Sequence, residues 1–145
     1  MLARLLVEHD HLLKSLNFLE MEFLDLCRGG TPDYALLRSI LEYIQEYPEQ
    51  VHHPLEDRIF SILLERMDET EVIQELTAQH AELEIETRKL SESLKLLEKG
   101  AVSMEEIKKQ LSTFLIKQRQ HLYIEEEIVY PLIERTLTIE DWEQL

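Results

Sequence analysis

One cysteine, three glycines and four prolines are spread over 145 residues. A lone thiol, Cys27, cannot form an intramolecular disulfide, and no Cys₂ or Cys₄ zinc site can be built from it. So little Gly and Pro, with 44% hydrophobic residues, fits a regular, mostly helical chain. Bases are scarce as well: 15 Lys and Arg against 30 Asp and Glu leave a net charge of −15. That balance argues against a nucleic-acid or anionic-membrane partner and suits a protein that attracts cations. No apolar run is long enough to span a bilayer, and the N-terminal MLARLLVEHD turns acidic too soon for a signal peptide. The expected location is cytoplasmic, and the length fits a single domain with a sizeable core over residues 1–145.

What the chain does have is a repeat. His52 and Glu56 form an H-x-x-x-E pair that recurs as His121 and Glu125, 69 residues on in both cases. The surroundings repeat at the same offset: Asp57 falls on Glu126, Ile59 on Ile128, Leu63 on Leu132, Leu64 on Ile133, and Glu65-Arg66 on Glu134-Arg135. Two residues four apart on a helix share a face, about 6 Å apart along the axis, so an imidazole and a carboxylate so placed can reach one metal ion. The duplication predicts one metal centre built from two related halves.

Apolar spacing divides the chain into four amphipathic segments. The first spans Leu2 to Leu26, with Leu5, Leu12, Leu16, Leu19, Phe23 and Leu26 on one stripe, and stops at Gly29-Gly30. The second spans Pro32 to Met67, with Thr31 as its cap; Pro48 and Pro54 predict a kink, or a break near Tyr47-Pro48. The third starts between Asp68 and Thr70 and ends at Lys99-Gly100. Ser103-Met104-Glu105-Glu106 reads as a capping box opening the fourth, which runs to about Thr136. Thr138 caps a last turn carrying Trp142, within a short tail over residues 137–145. Long helices with short connections predict an all-α, up-down-up-down four-helix bundle over about residues 2–136, with a kinked second helix.

Each helix then points a histidine inward. His9 lies on the stripe of Leu5 and Leu12, and His80 on that of Leu76 and Leu83. His52 and Glu56 lead into Ile59 and Leu63; His121 and Glu125 lie seven residues before Ile128 and Leu132. One histidine on an apolar face is ordinarily a hydrogen-bonded core residue. Four on four helices, level with two buried carboxylates, are explained together by a cation cluster, because a buried charge needs a partner. His11 is off the stripe and faces solvent. His53 and Asp57 are also four apart and stand as an alternative to His52 and Glu56, although His53 falls on Leu122 in the repeat. Glu84, one turn after His80, is either a surface acid or a further group at the site. Imidazole and carboxylate without thiolate suit Fe, Mn, Zn or Cu. Four histidines and two glutamates exceed one catalytic zinc and fit two metals, with the glutamates bridging. A ferritin-like carboxylate site needs E-x-x-H on two helices, and only Glu49 to His52 supplies it.

These residues resemble the hemerythrin-like (HHE cation-binding) family. The resemblance is carried by Glu8-His9, by His52-His53-Pro54-Leu55-Glu56-Asp57, by Gln79-His80, and by His121-Leu122-Tyr123-Ile124-Glu125-Glu126 leading to Tyr130-Pro131. It covers roughly residues 2 to 136. It implies a four-helix bundle around two iron ions, oxo- or hydroxo-bridged and carboxylate-bridged. His9, His52, His80 and His121 would be terminal ligands, and Glu56 and Glu125 would be bridges. The oxygen carriers of the family have a second histidine on the third helix and an Asp five after the fourth helix's His. Here Leu76 and Glu84 flank His80, and the acid stands at Glu125. The departure points away from simple O₂ transport and towards the branch linked to oxygen or redox sensing, peroxide or nitric oxide chemistry, and iron handling. The expected function is a di-iron protein that binds or senses O₂ or a related small diatomic. The alternatives are a di-iron enzyme acting on peroxide or NO, an iron storage or repair protein, and a metal-free interaction module. A protein partner or homodimer is left open.

Overall fold

The computed structural model describes residues 1–68 and 70–145. The chain is a helical bundle with no strand among the described residues. In order, the elements are α1 (Leu2–Cys27), α2 (Tyr34–Glu46), a π-helical turn (Pro48–His52), α3 (His53–Arg66), α4 (Glu71–Glu98), α5 (Met104–Ile124), a second π turn (Glu125–Val129), α6 (Tyr130–Thr136) and α7 (Ile139–Gln144). α1 packs on α5 and α2, while α4 packs on α5, α2 and α3.

Local chemistry sets the ends. α1 and α4 each run out into a glycine in the left-handed region, Gly29 at φ 87° and Gly100 at φ 72°. There the next amides turn back onto free carbonyls: Gly30 N on Asp25 O, and Ala101 N on Leu96 O. α2 differs from expectation at its start. Its cap is Asp33, not Thr31, and the Asp33 carboxylate accepts from the amide of Leu36. Ser103 caps α5 by accepting from Glu106 N, but the reciprocal half of the expected box is absent, since the Glu106 carboxylate accepts from Gln110 instead. The expected start of the third long helix, Asp68 to Thr70, includes Glu69, which lies outside the described residues; α4 begins at Glu71. At the far end Thr138 and Asp141 form a reciprocal capping box, and Arg66 clasps Asp141 with both terminal nitrogens. Trp142 packs on the apolar interior beneath it. Cys27 is exposed.

In the second segment α2 ends at Glu46 with Tyr47 as its cap, at the place where a kink or break was expected, and the chain stays helical beyond it. Pro48 opens a π turn, in which the amides of Val51 and His52 both reach Tyr47 O, and α3 continues at once. The second π turn, after Glu125, was not expected, and it shifts the buried face by one residue. In α3, Ile59 and Leu63 are buried and Leu64 is half-buried. At the matching positions Ile128 is 46% exposed and Leu132 half-buried, while their neighbours Val129 and Ile133 are buried. Ile128 and Leu132 therefore do not carry the inward stripe assigned to them. One extra residue per turn rotates everything after Glu125, and Pro131, with no amide hydrogen, suits a break in the regular ladder.

The apolar interior forms two clusters. One joins Leu12 to Leu26 of α1 with α2, the later part of α4 and most of α5. The other joins Leu5 with Ile59, Phe60, Leu63, Ile73, Leu76, Val129, Tyr130 and Ile133. Along each long segment the inward histidine lies between the two, so the polar layer is walled by hydrocarbon on both sides.

Candidate metal centre

The structure brings together the six residues singled out by spacing. His9, His52, Glu56, His80, His121 and Glu125 are all buried, the two glutamates completely. Two carboxylates form the middle of the cluster. Glu56 Oε1 lies 3.2 Å from His52 Nε2, and Glu56 Oε2 lies 3.4 Å from His80 Nε2. Glu125 Oε1 lies 3.2 Å from His80 Nε2 and 3.1 Å from His121 Nε2, while Glu125 Oε2 lies 3.4 Å from His9 Nε2. Potential ligand atoms fall within 4.8 Å of one another in three groups: His9, His52 and Glu56; Glu56, His80 and Glu125; and His53, His80 and His121.

The outer nitrogen of every one of these four imidazoles is held. His9 Nδ1 donates to Glu126 at 3.0 Å, His52 Nδ1 to Glu8 at 2.7 Å, His80 Nδ1 to Asp57 at 2.7 Å, and His121 Nδ1 to Gln79 at 3.0 Å. With a proton fixed at Nδ1, Nε2 is the nitrogen turned to the interior, and it becomes the metal-binding atom once it is free of its own proton. Spacing gave Asp57 a role only as the alternative partner of His53 and gave the other three acceptors none, yet the sequence marks all four. Glu8 and Gln79 each immediately precede the histidine of their own helix, and Asp57 and Glu126 each immediately follow the glutamate of the repeat. Glu8 is in turn fixed by Arg4 Nε and Tyr47 OH, both at 2.7 Å.

Tyr130 was seen only as part of a motif. Placed inward by the second π turn, its hydroxyl donates to Glu56 Oε1 at 2.6 Å and lies 2.8 Å from His9 Nε2. Burial, followed by the Glu56 and Glu125 carboxylates, pushes its pKa up, so the phenol keeps its proton. His53 is inside the cluster too, with its ring stacked on His80 at 4.2 Å. It does not replace His52: Asp57, the acid four residues on, turns to His80 Nδ1, whereas His52 keeps Glu56. Glu84 is exposed and His11 is exposed, and neither is in the candidate groups.

Charge is balanced by protons in this cluster. Burial alone would lower the His52 pKa, but Glu56 and Glu8 outweigh it and push it up to about 9. Burial likewise opposes a proton on His80, but Asp57, Glu125 and Glu56 push its pKa up to about 11. Glu56 stays well below the usual carboxylate range despite complete burial, because His52, His80 and His9 hydrogen-bond to it. Burial, reinforced by charge on His80, keeps His53 neutral. Three buried atoms of this cluster have no hydrogen-bond partner: Glu56 Oε2, Glu125 Oε2 and His121 Nε2. Two carboxylate oxygens and an imidazole nitrogen in want of a partner, in one dry layer, are what a cation would satisfy. The donor set therefore fits metal ions with mixed nitrogen and oxygen preference.

No curated protein and no solved structure matches the chain in the comparisons made. A protein-family model does, described as the hemerythrin HHE cation binding domain and matching residues 1–137. The match takes in every residue of the cluster, and the chain belongs to the hemerythrin HHE cation-binding domain family.

Proposed function

We propose that this protein holds two iron ions in its His/Glu layer and uses them to bind or sense O₂ or a related small diatomic. His9, His52, His80 and His121 are the terminal ligands in this reading, and Glu56 and Glu125 bridge. The observation that carries it is the orientation of the four imidazoles, each with Nδ1 tied to an outer acceptor and Nε2 turned towards the two buried carboxylates. The long segments run up-down-up-down as a single domain around the layer.

Iron held here supplies reversible binding or reduction of a small molecule. The protein's share is exclusion and placement. Hydrocarbon above and below the layer keeps bulk water and large molecules out. Metal quantitation together with optical spectra of the oxidised and reduced protein tests the reading. About two irons per chain, with a visible spectrum that changes when O₂ meets the anaerobically reduced form, is the expected result. Metal-free protein, or an O₂-indifferent spectrum with iron bound, rejects it.

The second reading, an enzyme acting on peroxide or nitric oxide, draws on Tyr130. Its phenol brings a proton to the edge of the centre, 2.8 Å from His9 Nε2. Turnover of peroxide or NO that disappears in His121→Ala favours it over sensing.

A further inference from the structure

The 69-residue repeat carries a second pair of polar residues. Glu49 stands three before His52, and Gln118, its counterpart at the same offset, stands three before His121. Both steps lead away from the His/Glu layer, into the apolar cluster that contains Leu41 and Ile44 of α2 and Leu115 and Leu122 of α5. Gln118 is 1% exposed, and neither its Nε2 nor its Oε1 has a hydrogen-bond partner among the described residues. Glu49 Oε1 is buried without a partner as well. Burial takes away the water that such groups would otherwise bond, so they are ordinarily paired.

The two residues lie at one level of the bundle. Lys117, next to Gln118, reaches Glu86 at 3.0 Å. Thr87, next to Glu86, is fully buried and lies within hydrogen-bonding reach of Glu49. Its hydroxyl already donates to Leu83 O at 2.9 Å, so it can only accept from a further partner. On its outer side Glu49 borders a cleft of about 190 Å³, lined also by Gln45, Gln50, Glu84 and Arg88.

We propose that Glu49, Thr87 and Gln118 form a buried site for ordered water, linked to solvent by the cleft at Glu49, through which single water molecules reach the His/Glu layer. The orphan atoms match that guest. Gln118 Nε2 is a donor, and Gln118 Oε1 and Glu49 Oε1 are acceptors for the two O–H groups of one water molecule. Buried water typically makes two to four such bonds to groups that would otherwise go unsatisfied. An apolar guest would leave all three atoms unpaired. The site lies apart from the proposed iron ligands and goes beyond that reading. It interrupts the hydrocarbon on one side of the layer at a single level, wide enough for ordered water and not for bulk solvent.

The test uses the full chain without added metal. Nuclear Overhauser cross-peaks between the Gln118 side-chain amide protons and long-lived water are expected in the wild type. In Gln118→Leu, whose folding is checked by circular dichroism, ¹⁷O relaxation dispersion should count fewer resident water molecules. Exchange of the His52 ring N–H protons with solvent should slow at least about tenfold in the same variant, because hydrocarbon replaces the hydrated route. If Gln118→Leu does not fold, Glu49→Leu, which removes the other orphan acceptor, is read in the same two ways. The inference is overturned if Gln118 shows no contact with long-lived water in the wild type, or if either the water count or the exchange rate stays at its wild-type value in the folded variant. None of these measurements involves iron, so a chain that takes up no metal rejects the proposed function and leaves this inference to its own result.

Discussion

Asp57 and Glu126, 69 residues apart in the chain, perform the same task on opposite halves of the layer. Asp57 accepts from His80 Nδ1 at 2.7 Å, and Glu126 accepts from His9 Nδ1 at 3.0 Å. Each follows directly after a central glutamate. Each half of the repeat thus supplies an imidazole–carboxylate pair from its own helix and orients a histidine on another.

Replacing either orienting acid should loosen metal without unfolding the bundle. Asp57→Ala and Glu126→Ala are each expected to weaken metal binding by about 10- to 100-fold, through a freed imidazole of lower basicity. Chelator competition measures the loss, and unchanged far-UV dichroism checks the fold. A wild-type affinity in both variants would show that the outer acceptors do not matter.

Metal uptake should depend on pH with a definite sign. His52 and His80 are raised to about 9 and about 11 by the surrounding carboxylates, so both carry protons at neutral pH before metal arrives. Ligation requires those protons to leave. Binding should therefore release protons and strengthen as pH rises from about 7 to about 9, by up to about tenfold per unit for each proton released. Titrations in buffers of different ionisation enthalpy count the protons directly.

Loading should stabilise the folded chain. Metal at about a thousand times its Kd adds about 4 kcal/mol, or very roughly a 10 °C rise in Tm for a chain of this size. His121→Ala removes an imidazole 3.1 Å from Glu125 and should forfeit most of that rise. Differential scanning calorimetry with and without metal compares the two.

The one-residue rotation after Glu125 predicts an asymmetry between matched leucine and isoleucine positions. Leu63→Ala should cost about 2–5 kcal/mol, whereas Leu132→Ala, its partner in the repeat, should cost clearly less. Ile133→Ala should in turn cost more than Leu64→Ala. Denaturant melts of the four variants decide the order, and equal costs within each matched pair would mean that the π turn does not rephase the helix.

Glu49 gives a pH effect on stability apart from the His/Glu cluster. Burial raises its pKa from 4.5 to about 7 against the help of a Thr87 hydrogen bond. The folded state then holds a proton that the unfolded state has released, so stability falls as pH rises from about 4.5 to about 7. Glu49→Gln should be the more stable protein at pH 8, by about 1 kcal/mol after allowance for solvent screening, and the two proteins should converge in acid. Urea melts across that range measure it.

The sequence by itself determined which side chains would meet. His9, His52, Glu56, His80, His121 and Glu125 follow from helical period and from the 69-residue repeat, because on regular helices spacing alone fixes which residues share a face. It also determined an all-helical chain, through its apolar stripes and scarce glycine and proline. Tertiary structure decided what lies outside that periodicity. Tyr130 reaches Glu56, and Ile133 replaces Leu132 in the interior, only because a π turn inserts itself after Glu125, and no count in steps of three and four anticipates an extra residue in one turn. His53 joins His80 and His121 because rings on facing helices come within stacking distance, which depends on how the helices pack against one another and not on position along either of them.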